Sequence, residues 1–398
     1  MEVPEELRLD FYNTEIAFSH KSDRELRRTY WLFKFMNKPN LVSLGNLLGN
    51  FAAKFPFHVF DPLIKKTIFY QFCGGTSLLE CQKVVDRLNS KHALTILDFG
   101  AEAKESEEEF DKTLAENLRA LEFAASNPNV PGISTKLTGY VPFSVLEKMH
   151  AGETLTAHDE IAWQRLEERF VTLCYKAYEM GVALFIDAEE SWIQDPIDRL
   201  VDKHMAEFNR ERPILYNTFQ LYRKGKLDYL KSSYEIAQSK GYILGAKIVR
   251  GAYIEKERIR ANEKNYEDPI QPNKESTDRQ YDDAVRFCVE HHEGISLCNS
   301  SHNMASTALQ ARLMASHNIP KDHPHLNFCQ LLGMSDNLTF NLSENGYCVA
   351  KYVPYGPVKE IIPYLTRRAK ENTSITGDMS RELELLHTEM KRRGLLNN

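Results

Sequence analysis

The chain has 398 residues, 42% of them apolar and 27% charged, with a formal net charge of −6. That length supports a sizeable core in one large domain or two ordinary ones, and the composition is that of a soluble globular enzyme. The acidic balance excludes bulk nucleic-acid binding, which shows as a basic domain, and no apolar run of 18 or more residues exists to span a membrane.

The opening MEVPEELRLDF has neither the apolar core of a secretory signal nor the Arg/Ser bias of a transit peptide. Residues 1–92 mix charged and apolar positions at helical spacing, with breaks near Gly45 and at Gly74–Gly75. From about residue 93 the pattern changes to short β-branched runs, each followed by a longer amphipathic stretch. The runs are 93–100, 132–138, 182–188, 214–220, 245–251, 295–301, 326–332 and 347–353. Eight such strands alternating with helices predict an α/β chain, a (β/α)8 TIM-like barrel somewhat distorted from the ideal and preceded by N-terminal helices. The rival, a doubly wound open sheet, calls for a GxGxxG turn after its first strand, and none is present. The expected organisation is an N-terminal helical region over 1–92, a barrel over 93–375 and a C-terminal helix over 376–398. One long polar connection, 255–282, carries Pro269 and Pro272 and reads as a lid or an excursion over the barrel mouth.

Several strands end on polar or charged residues: Asp98, Lys136, Asp187, Gln220, Arg250, Ser301–His302 and Gln330. In a parallel barrel all these ends meet one face, where active sites sit. Together they indicate a polar mouth suited to an anionic ligand. In PYLTRRAKEN (363–372), Tyr364, Arg367, Arg368 and Glu371 fall at i, i+3, i+4 and i+7 on one helix face. That face is either an exposed salt-bridged surface or a fork of guanidiniums for a carboxylate, with Glu371 holding one of them. Asp187 closes the apolar run of FIDAEES as a strand cap or as a functional acid. Arg250–Gly251–Ala252 follows a buried strand, where small residues admit a flat ligand and the guanidinium suits a phosphate or a reduced flavin. His302 has no second His or Cys at ligand spacing, and the EF-hand pattern is absent, so no metal site is expected. Seven cysteines, at 73, 81, 174, 288, 298, 329 and 348, form no CxxC pair and read as reduced thiols in a reducing compartment.

In this order, LDFGAEA (97–103), KLT (136–138), DAEES (187–191), NTFQLY (217–222), GAKIVRGAY (245–253), NYEDPIQP (265–272), SHN (301–303), QLLGM (330–334), KYVPYGPV (351–358) and PYLTRRAKEN resemble the proline dehydrogenase family, its eukaryotic-type branch in particular. The likeness covers about residues 93–375. It implies an FAD-dependent oxidation of L-proline to 1-pyrroline-5-carboxylate, by hydride transfer from C5 to flavin N5, with electrons passed to a quinone and peripheral contact with a membrane. It implies a cytoplasmic or membrane-peripheral place in a bacterium, and the mitochondrial inner membrane or matrix in a eukaryote.

Carried over residue by residue, Arg367 and Arg368 look like the carboxylate clamp, with Lys136 as a third cation and Glu371 orienting Arg367. Tyr352 and Tyr364 look like the ring-packing tyrosines, and Asp187 like the acid beneath the flavin–substrate region. Ala188, Gln220, Arg250, Gly251, Ala252, Lys274, Ser301 and His302 resemble flavin contacts, and Asp98 and Glu102 match a pair of acids on the first βα loop. Many bacterial members carry an arginine near flavin N5 where this chain has Lys247, which as a point charge cannot make a bidentate contact. The nearest rival is a hydroxyproline dehydrogenase, in which a small residue is expected at the position of Tyr352; another flavin barrel acting on a small amino acid is more distant.

Overall fold

The computed structural model describes residues 9–36, 68–100, 104–361, 364–365 and 378–396. Every expected strand forms: β1 Leu94–Phe99, β2 Gly132–Thr135, β3 Ala183–Ile186, β4 Leu215–Gln220, β5 Leu244–Val249, β6 Ile295–Ser300, β7 Leu326–Leu331 and β8 Val349–Tyr355. They follow one another as a closed barrel in the order β1 to β8. The described pairings are parallel, and β8 returns to β1 in register from Leu94↔Ala350 to Phe99↔Tyr355. Strands of a parallel barrel are covered on both faces, which is why these runs are nearly continuous in apolar and β-branched residues. The α/β barrel expectation therefore holds.

The helices are α1 Thr14–Phe18, α2 Asp23–Met36, α3 Leu78–Asn89, α4 Glu107–Ala125, α5 Phe143–Ala151, α6 Ala157–Met180, α7 Ser191–Phe208, α8 Lys226–Lys240, α9 Ile254–Lys264, α10 Lys274–Glu290, α11 Met304–Ser316, α12 Asp336–Glu344 and α13 Asp378–Arg392. Their ends follow local chemistry. Thr156 and Asp159 form a reciprocal capping box at the start of α6, and Gly181 ends it in the left-handed conformation. Asn273 caps α10 and Asn303 caps α11 through their side-chain oxygens.

The stretch 255–282, read as a lid or an excursion over the mouth, is made largely of two helices, α9 and α10, joined by a short segment. That segment is tied back by a bridge between Ile270 and Arg223. Most side chains of α9 face solvent, so its composition has the polarity of a loop while its backbone is helical.

By internal contacts the chain divides into two compact units, one of residues 1–100 with 330–398 and one of 101–329. The division runs through the strand order, not at residues 92 and 375. In the first unit β1 and β8 pair with each other, and an apolar cluster includes Phe18, Phe33, Phe72, Ile361, Tyr364 and Leu386. In the second unit, β4 and β5 approach so closely that a Cβ at Gly245 would collide with the Leu215 carbonyl. Only glycine fits there.

Candidate active site

The chemistry-bearing residues of the second unit gather at the C-terminal ends of β2 to β6, and the loop after β3 ties them together. Asp187, the first residue past β3, accepts from Ser134 Oγ at 2.7 Å through Oδ1. The same oxygen receives the Lys247 ammonium from β5. The side chains are 15% and 7% exposed, so the pair is largely out of water yet still open on one side. Asp187 N–H donates to the Thr135 carbonyl at 2.9 Å, which fixes the loop to β2. One carboxylate oxygen of Asp187 is thus gripped by both a hydroxyl and an ammonium. Asp187, read from sequence as a strand-end acid, and Lys247, which the resemblance sets where many bacterial members carry an arginine, are one ion pair between the end of β3 and the body of β5.

The next residues fan out. Ala188 is half-buried, and Glu189 is buried, with its carboxylate on Thr138. Glu190 pairs with Lys256 of α9. Ser191 donates its N–H and its hydroxyl to Glu257, at 2.7 and 2.6 Å. Burial pushes the Glu189 acid up to about 7, against the pull of Lys136 and of the Thr138 bonds. Lys136 itself is half-buried at the end of β2, immediately before the 3-10 turn Leu137–Gly139.

Gln220, expected as a flavin contact, is buried with both ends of its amide engaged inside the protein. Its Nε2 donates to the Glu189 carbonyl at 2.7 Å and to Tyr222 Oη at 2.9 Å, while its Oε1 accepts from Arg223. The structure makes it a brace between the ends of β3 and β4. Arg250 leaves β5 over the Tyr281 ring, 4.1 Å from its centroid, and pairs with Asp278 at 2.5 Å. Lys274 meets the same Asp278, also at 2.5 Å. Arg250 and Lys274 therefore come together around one carboxylate of α10.

Gly251 and Ala252 follow with little side chain to fill the space, and a Cβ at Gly251 would meet only Ile254 Cδ1, at 3.8 Å. Tyr253 then takes a left-handed backbone with φ of 57°. Such strain in a non-glycine residue clusters at functional sites. Ser301 accepts from Asn303 N–H at 3.0 Å at the start of α11, and His302 is half-buried beside it. Arg250 Nε is buried without a hydrogen-bond partner. A buried unpaired donor is costly, and an anionic group of a bound dinucleotide would satisfy it. These strand ends fit a flavin dinucleotide.

In the first unit Tyr352 lies buried within β8. Tyr364 is buried in the apolar cluster of that unit's helices. Asp98 is buried at the end of β1. Arg367, Arg368, Glu371 and Glu102 lie outside the described residues. No group of three or more His, Cys, Asp or Glu side chains among the described residues is placed to hold a metal ion.

Sequence reasoning passed over Ser134, Thr138, Glu189, Glu257, Asp278 and Tyr253. Two of them had a signal: Glu189 is one of three acids in DAEES, and Tyr253 closes GAKIVRGAY. It also passed over Lys351 of β8, whose side chain is fully buried and paired with Asp336 at 2.9 Å.

A family model described as proline dehydrogenase matches residues 81–381. A mitochondrial proline dehydrogenase 1 from Dictyostelium discoideum is 31% identical over 96% of this chain and 74% of its own length. The human mitochondrial proline dehydrogenase 1 is 42% identical over 60% of this chain and 40% of its own length. Among solved structures, proline utilization A from Bdellovibrio bacteriovorus superposes with a TM-score of 0.73 at 21% identity, covering 97% of this chain and 42% of that one, and supports the fold. With the family match spanning most of the barrel and the strand-end residues set as described, the chain belongs to the proline dehydrogenase family.

Proposed function

We propose that the chain oxidises L-proline to 1-pyrroline-5-carboxylate with FAD as the electron acceptor. The observation that carries the reading is the family match over residues 81–381 on a closed parallel barrel whose β3 and β5 ends hold the Asp187–Lys247 pair. When bound, the flavin supplies the acceptor for the hydride that leaves C5. Lys136, Arg367 and Arg368 take the substrate carboxylate, and Glu371 orients Arg367. Tyr352 and Tyr364 pack on the ring. Arg250 and Lys274 offer cations, Gly251, Ala252 and Ala188 allow close approach, and Ser301 and His302 add polar contacts on the flavin side; Gln220 braces the strand ends that carry them.

The bond to Lys247 fixes the Asp187 carboxylate, and the part assigned to it is to hold the ammonium and the local field, not to take the substrate proton. The substrate amine loses its proton before the hydride leaves, and the cyclic imine hydrolyses off the enzyme. Electrons pass onward to a quinone, which brings the protein to a membrane surface. Relatives named as mitochondrial support that compartment.

Purified protein that absorbs near about 450 nm and bleaches anaerobically with L-proline supports the reading; a colourless protein that binds no flavin contradicts it. Arg367→Ala and Arg368→Ala should stay yellow while the proline KM rises about ten- to a hundredfold, the worth of a charge-assisted bond. Loss of flavin in these variants would place the arginines on the cofactor.

A further inference from the structure

The loop after β3 holds an acid that the proposed chemistry does not use. Glu189 is 5% exposed. Its backbone is fixed on both sides: the N–H donates to Gln194 Oε1 at 2.7 Å, and the carbonyl accepts from Gln220 Nε2 at 2.7 Å. The carboxylate, held from behind in this way, reaches across to the turn after β2. One oxygen accepts Thr138 N–H at 3.2 Å and the other accepts Thr138 Oγ1 at 2.6 Å. The residue that opens this turn is Lys136, in an extended conformation two positions before Thr138. Its positive charge acts directly on Glu189, while the neighbouring Glu190 opposes it and is itself paired with Lys256.

Two roles fit a buried acid in this position. It can be a tie between two loops, for which any acceptor of the right shape suffices. Or its charge can matter, because a desolvated ammonium needs a counter-charge to hold one orientation. An acid beside a cation also weakens that cation's pull on a distant anion, so a purely neutralising acid would hinder carboxylate binding. The double grip on Thr138, with the main chain of Glu189 anchored on α7 and β4, is built for orientation.

We propose that Glu189 is a positioning residue for Lys136, fixing the turn that carries the ammonium and supplying the charge that aims it. This rests on the reading of Lys136 as a cation for the substrate carboxylate.

The test uses the full flavin-loaded chain with L-proline and a dye acceptor. Measured at about pH 8.5, above the value of about 7 to which burial pushes Glu189, Glu189→Gln keeps the shape and one acceptor but removes the charge. It should raise the proline KM about tenfold with kcat changed less than about threefold, and leave the flavin absorbance intact. In a Lys136→Met background, the same substitution should add less than about twofold, since coupled residues are not additive. A KM that is unchanged or lowered overturns the proposal, as does a tenfold effect that persists without Lys136. Should Glu189→Gln fail to fold, Thr138→Val removes one of the two bonds alone. It should raise KM by about threefold, again only when Lys136 is present, and a folded Thr138→Val protein with ordinary KM overturns the idea. A wild-type protein that oxidises no proline defeats the functional reading instead, so the two failures are distinct.

Discussion

Two buried aspartate–lysine pairs, one in each unit, differ in how completely they are withdrawn from water. Asp336 and Lys351 are 5% and 0% exposed and lie 2.9 Å apart. Lys351 also donates to the carbonyls of Met334 and Leu331, and the other oxygen of Asp336 faces Lys21 at 3.3 Å and His20 at 3.4 Å. These cations hold the Asp336 carboxyl well below its ordinary range despite its burial. Burial drives His20 the other way for a base, down to about 4, so it sits neutral beside them. The hub is nearly out of water and its charge is cancelled from several directions, yet it too carries a left-handed backbone at Ser335 and a buried His20 Nδ1 with no hydrogen-bond partner. Asp187 and Lys247 are 15% and 7% exposed, at the ends of barrel strands, beside a strained Tyr253 and an unsatisfied Arg250 Nε. The residual exposure of that pair leaves a ligand one side from which to approach it.

The comparison breaks most visibly if the closed hub proves dispensable. Asp336→Asn or Lys351→Met strands a buried charge, and leaving one partner alone costs about 3–5 kcal/mol. Denaturant unfolding should register that loss, while the folded fraction keeps its ordinary proline KM. A loss below about 1 kcal/mol would mean that the hub is no better compensated than a surface pair.

A somewhat smaller effect is expected at Glu382, which belongs to the same unit. Its carboxylate accepts Ser335 N–H at 3.2 Å, and burial together with the Asp336 charge pushes its acid up to about 7. The folded value lies above the ordinary 4.5, so this group's contribution to stability is fully present below about 4.5 and is lost as pH rises through about 7. Glu382→Gln keeps the acceptor and cannot ionise. Melting curves at pH 5 and pH 8 should therefore show the variant gaining on the wild type with rising pH, by up to about 3 kcal/mol. A gap that does not change with pH would place Glu382 in contact with water.

The mildest change is at Tyr352, buried in β8 on the face opposite Lys351 by strand alternation. Tyr352→Ser should weaken proline turnover and shift the proline-to-hydroxyproline preference by about tenfold toward the hydroxylated ring, the worth of a small steric change in a pocket. An unaltered preference would remove Tyr352 from substrate selection and reopen the hydroxyproline reading.

The barrel was legible because parallel strands must be apolar on both faces. The eight β-branched runs and the eight observed strands agree to within three residues at either end, the widest gap being at the end of β2. The helices within 255–282 were not legible because exposed helices and loops share a polar composition, and the prolines at 269 and 272 mark the joint between α9 and α10. Within the site, Asp187 was visible as a polar strand end and Lys247 through the resemblance alone. Their bond was not, because sixty residues separate them and only barrel closure sets the register that joins them. Gln220 shows the opposite failure: a motif position expected to face a cofactor is used up bracing its neighbours. Asp336 and Lys351 left no trace, since a charged residue between apolar neighbours reads as solvent-facing until its partner is placed.

The central claim, that the open pair serves the chemistry and the closed one serves the fold, is tested most directly by single-turnover reduction of the bound flavin in Lys247→Met. Anaerobic mixing with saturating L-proline should give a bleaching rate at least about a hundredfold below wild type, with flavin still bound and the melting temperature lowered only slightly, because an interaction made in the transition state has been removed. A wild-type bleaching rate in Lys247→Met would contradict the account, and would make the Asp187–Lys247 pair a second structural hub.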